Sequence, residues 1–277
     1  MTAHEALATA FGAAIRENRL GQAYLFRGPP GAGKREFALR LIAAIDCQTQ
    51  SGTACTSCDT CRAILQGTHP DVLIVEPEEG RKFIGIEPLR RLVDWMSRRS
   101  WNATGRRAII DPAEAMNRSA LNALLKTLEE PPGESYLILV SHAVTELPAT
   151  IRSRCVAVPI QVPTAEEAQE WLGRCAPEAI TLLPEAGGAP LEAMRLNETG
   201  LGLPIADLRR DLTGLSLSAI DPVETAAKWR RETETGIVVN TVARLIHSVI
   251  RLKFGLAIPS SPEQRVLTTL AERLEFP

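Results

Sequence analysis

The first 160 residues alternate short apolar runs with segments of helical period. Five of these runs contain no polar alternation, which is typical of strands buried on both faces of a parallel sheet. The runs lie at 23–26, 72–75, 108–110, 137–140 and 156–160. Pro159 falls within the last run, so we expect that run at a sheet edge or a strand end. The pattern predicts an α/β domain with a mostly parallel sheet and crossover helices.

Helices are predicted between the runs. One covers 34–45, directly after the first strand, and another lies between the third and fourth runs, where apolar residues recur every three or four positions. The apolar positions of that second helix are Met116, Ala120, Leu121, Leu124, Leu125 and Leu128. Pro131 and Pro132 follow and should end it.

After residue 162 only helical spacing remains. We predict three domains: an α/β domain at 1–162, a small helical domain at 163–205 and a helical domain at 206–277. Two apolar stripes mark the last domain, and they suit both a bundle core and a surface for other chains. The first stripe is Val238, Val239, Val242, Leu245, Ile246, Val249 and Ile250, and the second is Val266, Leu267, Leu270 and Leu274.

Composition narrows the class of protein. The chain is 45% hydrophobic and 23% charged, which is typical of soluble globular proteins. No apolar run approaches the roughly 20 residues that a membrane helix needs, and the first residues lack the pattern of a signal peptide, so we expect a cytoplasmic protein. A net charge of −2 and 4% aromatic residues argue against a broad nucleic-acid-binding surface.

A phosphate-binding loop is predicted after the first strand. Gly28, Gly33 and Lys34 match the pattern G-x-x-x-x-G-K, and Gly31 adds a further glycine to the loop. Glycines let backbone N–H groups converge on phosphate oxygens, and the following helix N-terminus adds positive potential. The position of the motif between a strand and a helix favours a nucleotide site.

Two departures indicate that this loop does not hydrolyse a nucleotide. Arg35 stands where a serine or threonine hydroxyl helps to hold Mg²⁺, and a cation cannot ligate another cation. Asp111 follows the third strand as the metal-holding aspartate should, but Pro112 follows it instead of a carboxylate, and Glu114 comes three positions on. We expect a loop kept for its shape, although ATP binding without turnover stays open.

Four cysteines, Cys47, Cys55, Cys58 and Cys61, form a cluster with the spacing C-x₇-C-x₂-C-x₂-C. Such clustering in a cytoplasmic protein favours a metal over disulfides, and four thiolates suit a closed, structural zinc site. An iron–sulfur cluster, redox pairing or inert core cysteines are the alternatives. We predict one zinc ion per chain.

The combination resembles the delta-prime subunits of the bacterial DNA polymerase III clamp loader, within the AAA+ superfamily. The phosphate loop, the four-cysteine insertion, NALLKTLEEPP at 122–132 and RSRC at 152–155 carry the resemblance, which is dense over 20–160. It implies an AAA+ phosphate-loop domain with an inserted zinc module, a helical lid domain and an all-α collar domain. It also implies a subunit of a DNA-directed DNA polymerase holoenzyme that is not an enzyme by itself.

Residue roles follow from the same resemblance. Ser153, Arg154 and Cys155 match the SRC motif, whose arginine enters the ATP site of a neighbouring subunit as an arginine finger; a surface ion pair is the simpler reading of Arg154. The chain would act as a stator beside the gamma/tau motor subunits and delta, and the complex would load the sliding clamp onto primer-template DNA. Leu191 stands where active relatives carry a sensor arginine, which agrees with this reading.

Three other readings compete. The chain could be an ATP-hydrolysing AAA+ motor subunit of the same complex, which Arg35, Pro112 and Leu191 disfavour. It could be a nucleic-acid-binding protein that uses the cysteine segment, which has only Arg62 nearby as a cation. The basic stretch at 90–101 could line a DNA path, although a solvated helix face is favoured.

Overall fold

Among the described residues of the unit 1–162, five parallel strands form one sheet. They are β1 (Ala23–Arg27), β2 (Val72–Val75), β3 (Arg107–Ile110), β4 (Tyr136–Ser141) and β5 (Val156–Pro159). The order in the sheet is β2-β3-β4-β1-β5, and every neighbouring pair is parallel. All five predicted strands are confirmed. As expected, β5 is an edge strand, and Pro159 is its last residue, where a missing N–H disturbs the ladder least.

The structure is a computed structural model that describes residues 3–101, 105–216, 219–232, 235–256, 258 and 264–273. In the part of 1–162 that is described, six α-helices accompany the sheet: α1 (Ala3–Arg16), α2 (Lys34–Ile45), α3 (Asp59–Leu65), α4 (Ile86–Ser97), α5 (Arg118–Glu129) and α6 (Ala149–Arg152). Helix α2 has the predicted bounds. Helix α5 begins two residues after Met116, because the Asn117 side chain caps it by accepting from the amide of Ala120, and it ends before the two prolines.

Both faces of the sheet are buried. Leu25, Ile110 and Leu139 point into one core, which α4 and α5 cover, while Phe26, Ile109 and Ile138 point into the other, which α1, α2 and α3 cover. In the middle of the inner strands, successive residues enter opposite cores, so both are apolar. This explains why the strands appear in the sequence as unalternated apolar runs.

The second unit, residues 163–277, contains only helices among its described residues. They are α7 (Ala165–Cys175), α8 (Pro190–Glu198), α9 (Gly202–Ser216), α10 (Pro222–Glu232), α11 (Thr235–Lys253) and α12 (Gln264–Arg273), with a 3₁₀ segment at Pro177–Leu182. Helix α7 begins with a capping box between Thr164 and Glu167. The predicted boundary between residues 205 and 206 lies inside α9, and the division into lid and collar stays a prediction.

The first apolar stripe of the last predicted domain is only partly buried. Val249 packs with Leu267 of α12, whereas Val239 is 60% exposed and Ile246 is 54% exposed. Of the second stripe, Leu274 lies outside the described residues. Among the described residues, every helix is too short or too polar to cross a bilayer.

Candidate functional site: the phosphate loop, the cysteine cluster and Arg154

The predicted phosphate loop connects β1 to α2 at the carboxyl end of the sheet. Gly31 and Gly33 have φ angles of +70° and +84°, which side chains rarely tolerate. Gly28 has no room for a side chain, because a Cβ there would lie 2.2 Å from the carbonyl oxygen of Ile160. The three glycines therefore serve the shape of this loop directly.

Lys34 is bound to the loop itself. Its side chain is buried, and Nζ donates to the carbonyl oxygens of Gly28, at 2.8 Å, and Pro29, at 2.6 Å. Burial lowers the pKa of Lys34 to about 8, against the opposing carboxylates of Asp111 and Glu114. The charged amine is thus satisfied by two carbonyl oxygens of the loop.

Arg35 lies among the acidic residues at the ends of the neighbouring strands. Its Nη1 is 2.7 Å from Oε2 of Glu76, which directly follows β2, and 3.8 Å from Oδ2 of Asp111, which directly follows β3. The structure thus brings Lys34, Arg35 and Asp111 together, as the motif predicted. Glu76 is a site residue that the sequence reasoning missed, although its position directly after a buried strand could have pointed to it.

Asp111 is largely buried beside this cluster. Burial raises its pKa to about 6, and the guanidinium of Arg35 and the amine of Lys34 oppose that rise. His142 lies near its other oxygen, with Nε2 3.9 Å from Oδ1. Arg35 therefore places a positive charge 3.8 Å from the Asp111 carboxylate.

Glu114 is closer to the site than its sequence position suggested. It lies in a 3₁₀ turn after β3, and its Oε1 accepts a hydrogen bond of 2.8 Å from the backbone amide of His142. Its Oε2 is buried without a hydrogen-bond partner. The turn returns this carboxylate to the end of β4, where it acts on the pKa of Lys34.

The four predicted cysteine ligands converge on one point. The Sγ atoms of Cys47, Cys55, Cys58 and Cys61 all lie within 4.8 Å of one another, and all four are free thiols. The Sγ atoms of Cys55 and Cys61 are 3.9 Å apart. Tetrahedral zinc with Zn–S bonds near 2.3 Å places its sulfurs about 3.8 Å apart, so the geometry fits a metal ion of that size.

Backbone amides orient two of the four thiols, while burial raises the pKa of the Cys61 thiol to about 12. The amide of Cys58 donates to Sγ of Cys55, and the amide of Cys61 donates to Sγ of Cys58. Bonds to sulfur, first from the Ser57 hydroxyl, lower the pKa of the Cys55 thiol to about 5. This donor set could hold one metal ion in a closed site, with no position left for a substrate.

The predicted arginine finger is paired within its own chain. Nε and Nη2 of Arg154 donate to Oε1 of Glu129, at 2.9 and 2.5 Å, and Nη1 donates to the carbonyl oxygen of Thr150 at 2.9 Å. The surface ion pair weighed against the finger is therefore present, and Glu129 is a second residue that the sequence reasoning missed. The other two residues of the motif have different surroundings. The hydroxyl of Ser153 donates to the carbonyl oxygen of Thr150, while burial raises the pKa of Cys155 to about 12.

Arginines near Leu191 and in the basic stretch at 90–101 form local ion pairs. Arg195, which follows Leu191 in α8, forms an ion pair with Glu192 of its own helix. Arg90 of α4 pairs with Glu87, and Arg98, directly after α4, pairs with Asp94 of that helix. The contacts of α4 agree with the solvated helix face that the sequence favoured.

Comparisons with known proteins agree with the motifs. A family model described as "DNA polymerase III, delta subunit" matches residues 3–164, which is more than half of the chain. A relative called DNA polymerase III subunit delta' from Pseudomonas aeruginosa is 42% identical over 185 residues, covering 65% of this chain and 56% of that protein. The chain belongs to the DNA polymerase III delta-prime family.

Other matches place this delta-prime family member among related subunits. DNA polymerase III subunit tau from Salmonella typhimurium is 30% identical over 207 residues, covering 71% of this chain and 32% of that protein. The solved structure of a gamma subunit-related protein from Thermotoga maritima is 21% identical, covers 96% of this chain and 75% of that one, and has a TM-score of 0.46, too low to assign a shared fold. The chain spans about half the length of the delta-prime relatives it matches.

Proposed function

We propose that this chain is a non-hydrolysing, stator-like subunit of the DNA polymerase III clamp loader that supplies Arg154 to the ATP site of a neighbouring subunit. Family membership supports the assignment to the polymerase complex. The contact of Arg35 with Glu76 and Asp111 carries the proposed lack of turnover.

The argument from Arg35 is electrostatic. A magnesium ion at this loop would be held by a hydroxyl at position 35 and by carboxylates from the strand ends. With arginine at this position the hydroxyl is missing, and the guanidinium adds a positive charge 2.7 Å from Glu76 and 3.8 Å from Asp111. Arg35 therefore occupies the acidic surroundings in which the metal would bind.

An ATP-hydrolysing motor subunit is the second candidate, and three observations favour it. Gly28, Gly31, Gly33 and Lys34 keep the sequence and the backbone form of a phosphate loop, and the chain is also similar to a tau subunit. Glu114 adds a carboxylate oxygen that is buried and unbonded. The missing metal ligand at position 35 keeps this candidate second, and ATP binding without turnover is compatible with both.

The proposed finger is accessible from outside the chain. The side chain of Arg154 is 34% exposed, and its three hydrogen bonds use three of its five N–H groups. A guanidinium delivered from a neighbouring subunit stabilises the charge that develops on transferred phosphate. The chemistry of this site would then be divided, with the nucleotide on the partner and Arg154 on this chain.

The remaining parts of the proposal concern partners and metal. The expected partners are the gamma/tau motor subunits and delta and, through the complex, the sliding clamp and primer-template DNA in the cytoplasm. The exposed edge of the α11 stripe supports a collar that contacts other subunits. Zinc is the proposed metal of the cysteine cluster, since four thiolates within 4.8 Å of one another suit it.

ATP hydrolysis tests the proposal in two steps. The purified chain with Mg²⁺ should show no turnover above that of K34A. A reconstituted complex in which only the adjacent motor subunit keeps its phosphate-loop lysine should lose about 10³-fold of its ATPase rate with R154A. R152A is the matched control, since Arg152 lies two residues away and is exposed. Turnover by the chain alone that K34A abolishes would establish the motor candidate, and an unchanged rate with R154A would exclude the finger.

A further inference from the structure

We propose that Glu129 is the positioning residue of Arg154, holding its guanidinium in the orientation that a neighbouring ATP site receives. The inference rests on the proposed function of Arg154. It concerns a residue at the end of α5, and the two residues lie 25 positions apart in the chain.

Three hydrogen bonds from two directions define the guanidinium plane. One oxygen of Glu129 accepts from both Nε and Nη2, while the Thr150 carbonyl accepts from Nη1. One N–H group remains on each terminal nitrogen, which is the arrangement that two phosphate oxygens can accept from together. The contact with Glu129 thus occupies Nε and one N–H group of Nη2, and one N–H group on each terminal nitrogen is left for a ligand.

The backbone beneath Arg154 is fixed independently of Glu129. Ile151 of α6 is buried in the same core as Leu124 and Leu128 of α5. Packing therefore sets where the Arg154 backbone lies, but a long arginine side chain still has many rotamers. The carboxylate of Glu129 restricts those rotamers, so the arginine side chain loses less conformational entropy when it engages the ATP site.

Helix stability does not explain a glutamate at this position. Glu129 is the last residue of α5, where the helix dipole places partial negative charge and a carboxylate is unfavourable. The ion pair is also partly solvated, with the two side chains 34% and 49% exposed, so it contributes little to folding. Orientation of Arg154 is the benefit that the geometry indicates.

A latch is the opposing interpretation of the same contact. In a latch, Glu129 would hold Arg154 back until the neighbour binds, and removing the carboxylate would free the finger. The two interpretations predict effects of opposite sign on the rate. A kinetic measurement on the assembled complex therefore distinguishes them.

The test uses the complex in which only the adjacent motor site turns over ATP. E129A should lower kcat about fivefold with the KM for ATP unchanged, because an exposed ion pair of this kind orients by up to roughly that factor. E129D, which keeps the charge on a shorter side chain, should recover part of the rate. E130A removes the neighbouring glutamate, which is exposed and outside the contact with Arg154, and should change nothing.

Each result decides between named alternatives. If R154A leaves the rate unchanged, the proposed function fails and this inference fails with it. If R154A lowers kcat but E129A does not, only the positioning role is overturned, and a rise in kcat with E129A would establish the latch. Should E129A fail to assemble by gel filtration, E129Q keeps the size of the side chain with a neutral acceptor and is expected to lower kcat less than E129A.

Discussion

Nη1 of Arg35 lies 2.7 Å from Oε2 of Glu76, joining the start of α2 to the end of β2. In the proposed function, this pair takes the place of a metal ion while the loop keeps its glycines and its lysine. Since Arg35 also lies 3.8 Å from Asp111, a single substitution should expose both carboxylates. A substitution that puts a hydroxyl at position 35 therefore tests the role of Arg35.

R35T is expected to restore magnesium-dependent nucleotide binding. The threonine supplies a hydroxyl and leaves Glu76 and Asp111 without the competing cation. We expect the affinity for an ATP analogue with Mg²⁺ to rise at least about tenfold over the unsubstituted chain, measured by calorimetry. R40T, which removes an exposed arginine of the same helix, is the control. Equal affinity of R35T and the unsubstituted chain would contradict the role given to Arg35.

The buried amine of Lys34 should make stability depend on pH above neutrality. Its pKa is about 8 in the folded chain and 10.5 when unperturbed, so between these values the unfolded state binds more protons. The free energy of unfolding should therefore rise from pH 8 to pH 10.5 by a contribution that K34M lacks. Urea titrations of both proteins measure the difference. K126M, at an exposed lysine, should follow the unsubstituted chain, and a parallel course for K34M would show that Lys34 is not desolvated.

The cysteine cluster should carry one zinc ion that contributes to folding. C58S removes one of four ligands and should lower both the zinc content measured by mass spectrometry and the melting temperature, by about 10 °C if roughly 3 kcal/mol is lost. C175S removes an exposed cysteine outside the cluster and should leave both quantities unchanged. Iron in place of zinc, with visible absorption, would favour the iron–sulfur alternative.

The ion pair between Arg107 and Asp46 should be the costliest to break. Arg107 is 2% exposed, and Nη2 lies 2.6 Å from Oδ1 of Asp46. R107M leaves a buried carboxylate unpaired and should lower the free energy of unfolding by about 3–5 kcal/mol in urea. R174M breaks a pair that is more than 70% exposed and should cost less than about 1 kcal/mol. Similar losses for the two variants would refute the burial argument.

Much of the fold could be predicted from local patterns. The unalternated apolar runs predicted strands with two buried faces, and the proline pair after residue 130 predicted the end of α5. The second unit was harder to divide, because α9 (Gly202–Ser216) runs through the predicted boundary and helical spacing does not change there. Periodicity identifies helices but does not say which helices share a core.

For the candidate site, the sequence by itself determined the chemistry-bearing residues whose spacing is local. Three such features can be recognised without a structure: glycines at fixed offsets, an arginine in place of a hydroxyl, and four cysteines within 15 positions. These motifs work through turns and single helix ends, so neighbours in sequence are neighbours in space.

Only the tertiary structure decided what those residues contact. Glu76 meets Arg35 from 41 positions away, and Glu129 meets Arg154 from 25 positions away. Glu114 reaches the same end of the sheet because a 3₁₀ turn redirects the chain after β3. Parallel strands gather their carboxyl ends at one edge of the sheet, and that gathering depends on strand order, which no local pattern encodes.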